Sequence, residues 1–157
     1  MTEFAGRLRA TGRVAILASR YNEAVTLRLL AGAREACRDA GIADELVDVL
    51  WVPGAFELPG IAAAAAATGR YVCLVALGAV IRGDTAHFEY VAGEAARGLG
   101  EVAVRHAIPV AFGVLTVDTL EQAVERAGGA AGNKGREAAD AAISAADLLV
   151  QLRSTDA

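Results

Sequence analysis

Short, uninterrupted apolar runs alternate with longer stretches of helical periodicity along this chain, and few folds accept that order. Strand-like runs fall at 14–18, 46–52 and 71–81, with helix-period segments at 24–40 and 58–67 between them. The alternation continues through a helix over 86–106, a strand over 110–115, a short helix from Leu120 and a last helix over 135–152. The runs Val-Ala-Ile-Leu-Ala at 14–18 and Val-Cys-Leu-Val-Ala-Leu at 72–77 show no polar alternation, as strands do when both sheet faces are covered. The expected class is α/β: a three-layer αβα sandwich around a mostly parallel sheet. Residues 1–12 hold too little apolar content for a core strand and are expected to form an edge strand or an arm reaching a neighbouring subunit. A length of 157 residues suits one domain spanning 1–157.

Composition adds the expectation of assembly. The chain is 55% AVILMFWYC with a mean hydropathy of +0.39, an apolar excess that a small isolated domain has trouble hiding from water. Membrane insertion does not account for it, because Arg70, Arg82 and Asp84 interrupt the longest apolar candidate. Residues 1–9 carry Glu3, Arg7 and Arg9 and lack the apolar core of a leader, so the cytoplasm is the expected compartment. With 15 basic and 19 acidic residues, the net charge of -4 offers no global field for nucleic acid or an anionic membrane, and an anionic ligand has to be held locally. Cys37 and Cys73 make neither a CxxC pair nor a disulfide framework and are expected to be reduced core residues.

In an open parallel sheet, ligands bind beyond the carboxyl ends of the strands, so the chemistry is sought in the loops that follow each apolar run. Ser19-Arg20-Tyr21-Asn22 follows the first run; its Tyr21 can stack on a heterocycle or simply pack. In the second loop Pro53 and Pro59 stiffen the backbone around Gly54 and Glu57, whose carboxylate can accept hydrogen bonds from a polyol or serve as a first-turn acid. The third loop, Gly83-Asp84-Thr85-Ala86-His87, reads as an anion site. There Gly83 allows close backbone approach, and Asp84 or Thr85 can cap a helix whose first amides face the ligand. It is not a nucleotide P-loop, since Asp84-Thr85 stands where Lys-Ser/Thr is required. His87, in the first turn of that helix, is either a proton acceptor beside a bound anion or a packed helix-terminal residue.

Metal chemistry is not expected, because His87 and His106 stand at opposite helix ends and the two cysteines are isolated. Late in the chain, Thr119 and Gln122 make a capping box for a short helix ending near Arg126. The glycine-rich segment 128–133 then supplies positive-φ positions and leads to Lys134. Arg126 and Lys134 are either solvated surface charges or partners for an anion site on a neighbouring copy.

Four segments together, Ser19-Arg20-Tyr21-Asn22, the run 52–59, the run 77–88 and Gly132-Asn133-Lys134-Gly135, resemble the 6,7-dimethyl-8-ribityllumazine synthase family in kind and order, over about 13–149. The resemblance implies a flavodoxin-like domain assembled into pentamers, some of which pack into hollow icosahedral shells, with active sites between subunits. It implies condensation of 5-amino-6-(D-ribitylamino)uracil with 3,4-dihydroxy-2-butanone 4-phosphate, releasing phosphate and water, with no cofactor. Carried over by position, Tyr21 would stack on the pyrimidine, where the family more often has Phe or Trp, and Val80 and Ile81 would meet its polar edge through their backbone. Ala55, Phe56 and Glu57 would hold the ribityl chain. Gly83, Asp84 and Thr85 would present amides to the phosphate, with the Asp84 carboxylate turned away from it. His87 would transfer protons, while Phe112, Arg126 and Lys134 would come from the adjacent subunit, with Arg126 on the phosphate and Lys134 near the pyrimidine. Glu137 would orient Lys134 or another cation.

The compact 128–135 turn is similar to that of shell-forming members. Three rival readings remain: an archaeal-type riboflavin synthase, a flavodoxin-like flavin-binding module, and a non-catalytic shell-forming homologue. Gly-Asp-Thr-Ala-His at 83–87 argues against the first. The lack of a Ser/Thr/Gly-rich phosphate loop after the first run argues against the second, and retention of His87, Arg126 and Lys134 against the third.

Overall fold

The three apolar runs become adjacent strands. In the computed structural model, which describes residues 1–155, β1 (Val14–Ser19), β2 (Val47–Val52), β3 (Cys73–Ile81) and β4 (Val110–Val117) form a parallel sheet in the order β2-β1-β3-β4. Val14 pairs with Val47 on one side and Cys73 on the other, so β1 sits at the centre, and every β1 residue is buried. β2 and β4 are the outer strands and carry the half-buried Asp48 and the exposed Phe112 and Thr116, whereas the one polar residue of β1 is Ser19, buried at its carboxyl end. Residue alternation divides the core in two. Val14, Ile16, Val75 and Leu77 face α1 (Glu23–Asp39) and α5 (Lys134–Thr155); Ala15, Leu17, Leu74 and Ala76 face α2 (Leu58–Ala67) and α3 (His87–His106). The sheet is thus covered on both faces, which is why its central strands tolerate no polar side chain before their carboxyl ends.

α4 (Leu120–Arg126) follows β4, and the chain then makes a two-stranded antiparallel hairpin, β5 (Ala127–Gly129) and β6 (Gly132–Asn133), with Gly128 at φ 99° and Gly132 at φ 83°. Thr119 caps α4 as expected, accepting from the Gln122 N–H at 3.1 Å. The reciprocal bond of the capping box shifts by one residue: Gln122 Oε1 accepts from the Asp118 N–H at 2.8 Å.

The Gly132-Asn133-Lys134-Gly135 segment has a packing explanation. Asn133 Oδ1 accepts from the N–H groups of Gly135 and Arg136 at 2.9 and 3.1 Å, capping α5, while its Nδ2 donates to the Arg28 carbonyl of α1 at 3.1 Å. A methyl group on Gly32 would meet the Asn133 side chain at 2.4 Å, and one on Gly135 would meet the Leu29 carbonyl at 2.0 Å. Both glycines therefore permit the close crossing of α1 and α5, which the ion pairs of Arg136 with Asp39 and Glu35 reinforce at the surface.

Residues 1–12 form no strand, which corrects the edge-strand alternative. They run as an arm along α5 of their own chain because a buried carboxylate holds them there: Asp147 accepts from the Arg7 N–H at 2.8 Å and pairs with the Arg9 guanidinium. Gln151 donates to both Asp147 and the Ala5 carbonyl. The Arg7 amide first, then Gln151 and Arg9, hold the Asp147 carboxyl below its ordinary range despite burial. Cys37 and Cys73 are free and buried, and desolvation pushes their thiols up to about 11 and about 12, so both stay protonated near neutral pH. No helix among the described residues is long and apolar enough to cross a membrane.

Candidate active site

β1 hands the chain to α1 on one face of the sheet, whereas its neighbour β3 hands it to α3 on the other. Their carboxyl ends therefore diverge, and a crevice opens at this reversal of direction. A cleft of about 630 Å³ occupies it, lined by the loops after β1 and β2, the end of β3 and the first turns of α3.

Each wall is held locally. Beyond β1 the ladder continues, with the Arg20 N–H donating to the Val52 carbonyl at 2.8 Å and the Tyr21 N–H to the Pro53 carbonyl at 3.0 Å. Asn22 adopts the left-handed conformation at φ 60°, which asparagine tolerates, and its Nδ2 donates to the Ala79 carbonyl at 2.9 Å. These bonds fix the loop while leaving Tyr21 73% exposed over the cleft. In the second wall a short 3-10 turn, Ala55–Glu57, precedes α2, and Glu57 Oε2 closes it by accepting from the Gly54 N–H at 2.9 Å. Pro59 lies in the first turn of α2, where a missing N–H breaks no helical bond. Phe56, 56% exposed, stands beside Glu57 on the rim.

The third wall is the loop from Gly83 to His87. Apart from its own chain neighbours, no atom of the described residues would lie within 4 Å of a methyl group added to Gly83, so the space over its backbone is open to a ligand. The expectation that Asp84 or Thr85 caps the next helix is corrected: α3 begins at His87 with Ala86 as its N-cap and no side-chain cap. Thr85 Oγ1 reaches the His87 N–H at a long 3.4 Å, because the chain turns helical one residue too late for either side chain to span the first turn. That long bond is the one side-chain acceptor of the first turn among the described residues, and the Glu89 N–H donates to the Ala86 carbonyl at 3.0 Å, so the start of α3 has no close side-chain cap to compete with an anion.

The cleft brings together Tyr21, Ala55, Phe56, Glu57, Val80, Ile81, Gly83, Thr85 and His87. Asp84 is exposed and does not line it. Phe112, Arg126 and Lys134 lie elsewhere, on β4, at the end of α4 and at the start of α5. Phe112 is 47% exposed on the outer strand. Arg126 Nη1 donates to the Gln122 carbonyl at 3.1 Å, and Lys134 Nζ stands 3.4 Å from Glu137 Oε1. Two lining residues, Tyr90 and Val91, lie outside every segment singled out in the sequence, and Asn22, Ala79 and Phe88 lie within those segments without having been given a role. Tyr90 and Val91 follow His87 by one helical turn and share its side of α3, a spacing that was available as a signal.

The sequence matches the family model described as 6,7-dimethyl-8-ribityllumazine synthase over residues 11–150, leaving outside it the start of the arm and the end of α5. With the parallel sheet, the crevice between β1 and β3 and the motif residues gathered along it, this match shows that the chain belongs to the 6,7-dimethyl-8-ribityllumazine synthase family.

Proposed function

We propose that this protein condenses 5-amino-6-(D-ribitylamino)uracil with 3,4-dihydroxy-2-butanone 4-phosphate to give 6,7-dimethyl-8-ribityllumazine, phosphate and water. The observation that supports this most is the single cleft lined at once by Tyr21, the 53–57 turn, Val80 and Ile81, and Gly83, Thr85 and His87. Tyr21 stacks on the pyrimidine, and the backbone of Val80 and Ile81 meets its polar edge. Glu57 keeps Oε2 on the Gly54 amide, so Oε1 is the oxygen left for a ribityl hydroxyl, between Ala55 and Phe56. The open backbone at Gly83, with the amides of Asp84 and Thr85, receives the phosphate. The primary amine attacks the ketone to form an imine with loss of one water, phosphate is eliminated to leave an enol that tautomerises to a ketone, and the ribityl-bearing nitrogen adds to that ketone and closes the ring with loss of a second water. His87 passes the protons among these groups, and much of the acceleration comes from holding two polar substrates in line.

Family members assemble from identical subunits, and in this reading Phe112, Arg126 and Lys134 complete the site of the neighbour in a pentameric ring of one-domain cytoplasmic subunits. Their separation from their own cleft and the partial exposure of all three favour that arrangement.

Purified protein supplied with both substrates, and no added metal, is expected to release phosphate and a fluorescent lumazine in equal amounts; the absence of product sinks the proposal. His87→Ala is expected to slow turnover by about one to two orders of magnitude, at or below the usual range for general acid-base catalysis, because alignment carries much of the rate. An unchanged rate would return His87 to a packing role.

A further inference from the structure

Arg82 stands at the edge of the cleft without lining it, and its contacts close on the loop that follows it. Its backbone N–H donates to the Val117 carbonyl at 2.9 Å, extending the β3–β4 ladder one residue past the strand end. Its guanidinium then reaches the far end of the loop, with Cζ 4.9 Å from the centroid of the Phe88 ring in the first turn of α3. Nε donates to the Asp118 carboxylate at 2.8 Å. One residue thus anchors the loop's beginning through its main chain and its end through its side chain.

The ion pair carries the connection further. The Asp118 N–H is held by Gln122 Oε1 at 2.8 Å, and the Gln122 carbonyl accepts from Arg126 Nη1 at 3.1 Å. Phe88, Arg82, Asp118, Gln122 and Arg126 therefore form a continuous series of contacts from the Gly83–His87 loop to the end of α4. Within the loop, by contrast, the Thr85 bond to His87 is long and Asp84 has no side-chain hydrogen bond or ion pair among the described residues.

We propose that Arg82 is a positioning residue for phosphate binding: its guanidinium, clasped between Phe88 and Asp118, holds the Gly83–His87 loop in the shape that receives the phosphate group. The inference rests on the function proposed above for its consequence in catalysis, but the clasp itself is a property of the loop. Each contact is solvent-accessible and modest alone, so their joint loss changes the population of the closed loop by roughly three- to tenfold.

The test compares wild type with Arg82→Ala, Arg82→Lys and Asp118→Asn in the assembled protein. Amide hydrogen exchange at residues 82 and 89, whose N–H groups donate to the Val117 and Ala86 carbonyls at the two ends of the loop, is expected to accelerate roughly three- to tenfold in Arg82→Ala, while protection of β1 and the interior of β3 stays unchanged. The KM for the phosphate-bearing substrate, and the inhibition constant of inorganic phosphate, are expected to rise by a similar factor, with the KM of the pyrimidine substrate unmoved. Arg82→Lys keeps the charge but not the planar face or the Nε donor, and is expected to recover only part of both effects. Unchanged exchange at residues 82 and 89, or an equal rise in both KM values, overturns the clasp. A wild-type protein that forms no lumazine overturns the proposed function instead, and the exchange and inorganic phosphate titrations still decide the role of Arg82.

Discussion

Arg126→Ala is expected to lower kcat/KM for the phosphate-bearing substrate by roughly a hundredfold, the scale of losing a charge-assisted contact to a desolvated anion. Within its own chain the Arg126 guanidinium has modest employment: the Gln122 carbonyl at 3.1 Å and a distant Glu125 carboxylate at 3.8 Å. It does not line its own cleft, so direct contact with the phosphate requires that it serve another subunit. Complementation separates that geometry from a mere loss of stability. His87→Ala and Arg126→Ala proteins, each depleted of activity, are co-expressed so that rings form from both. In a head-to-tail ring mixed at random in equal amounts, roughly a quarter of interfaces pair an intact His87 with an intact neighbouring Arg126. Activity should recover in that proportion. If verified mixed rings show no more than the sum of the two variants, the shared site has to be withdrawn.

The largest effect on stability is expected from a single methyl group. Gly135→Ala would place its Cβ 2.0 Å from the Leu29 carbonyl oxygen, 2.6 Å from the carbonyl carbon and 2.8 Å from Cα. All three are backbone atoms of α1, fixed by the hydrogen bonds of that helix, so no side chain can swing away to relieve the clash. α5 must move instead, taking with it the Asn133 cap and the bond from Asn133 to Arg28. A loss of about 3 kcal/mol is expected, at the upper end for overpacking, read as a lower denaturation midpoint with an unchanged slope. Gly100→Ala in α3 is the control: its added methyl meets nothing within 4 Å, and the exchange removes a poor helix former. Equal stability of the two variants would show that α1 and α5 do not depend on this contact. Because Lys134 precedes Gly135, any folded fraction of Gly135→Ala should also bind the pyrimidine substrate more weakly.

Much of the architecture was legible because it depends on local pattern. The strand at 14–18 and the apolar stretch at 71–81 could be read as central strands from their lack of alternation, and both are buried on two faces. The loops after them could be searched for chemistry because parallel strands deliver their carboxyl ends to one edge of the sheet. That is why Tyr21, Glu57, Gly83 and His87 could be named before their meeting place was known. Helix ends were less legible. Asp84 and Thr85 have the side chains of caps, yet the helix starts at His87, because cap preference says which residues suit the role and not where the backbone first closes its turn.

The sequence alone determined the periods, the apolar faces and the set of loops that share one end of the sheet, since each follows from side chains a few residues apart. Only the tertiary structure decided which distant groups meet. Asp147 looks like any polar residue in the last helix, but it is fully buried because the arm folds over it and supplies the Arg7 amide. Asn133 looks like a turn residue, but it caps one helix and ties it to another across 105 positions of chain. The order β2-β1-β3-β4, which opens the cleft between β1 and β3, is likewise a choice among packings that all satisfy the same local pattern. It is settled by the burial and hydrogen bonding available when the layers close around β1, a sum over contacts between residues that the sequence sets far apart.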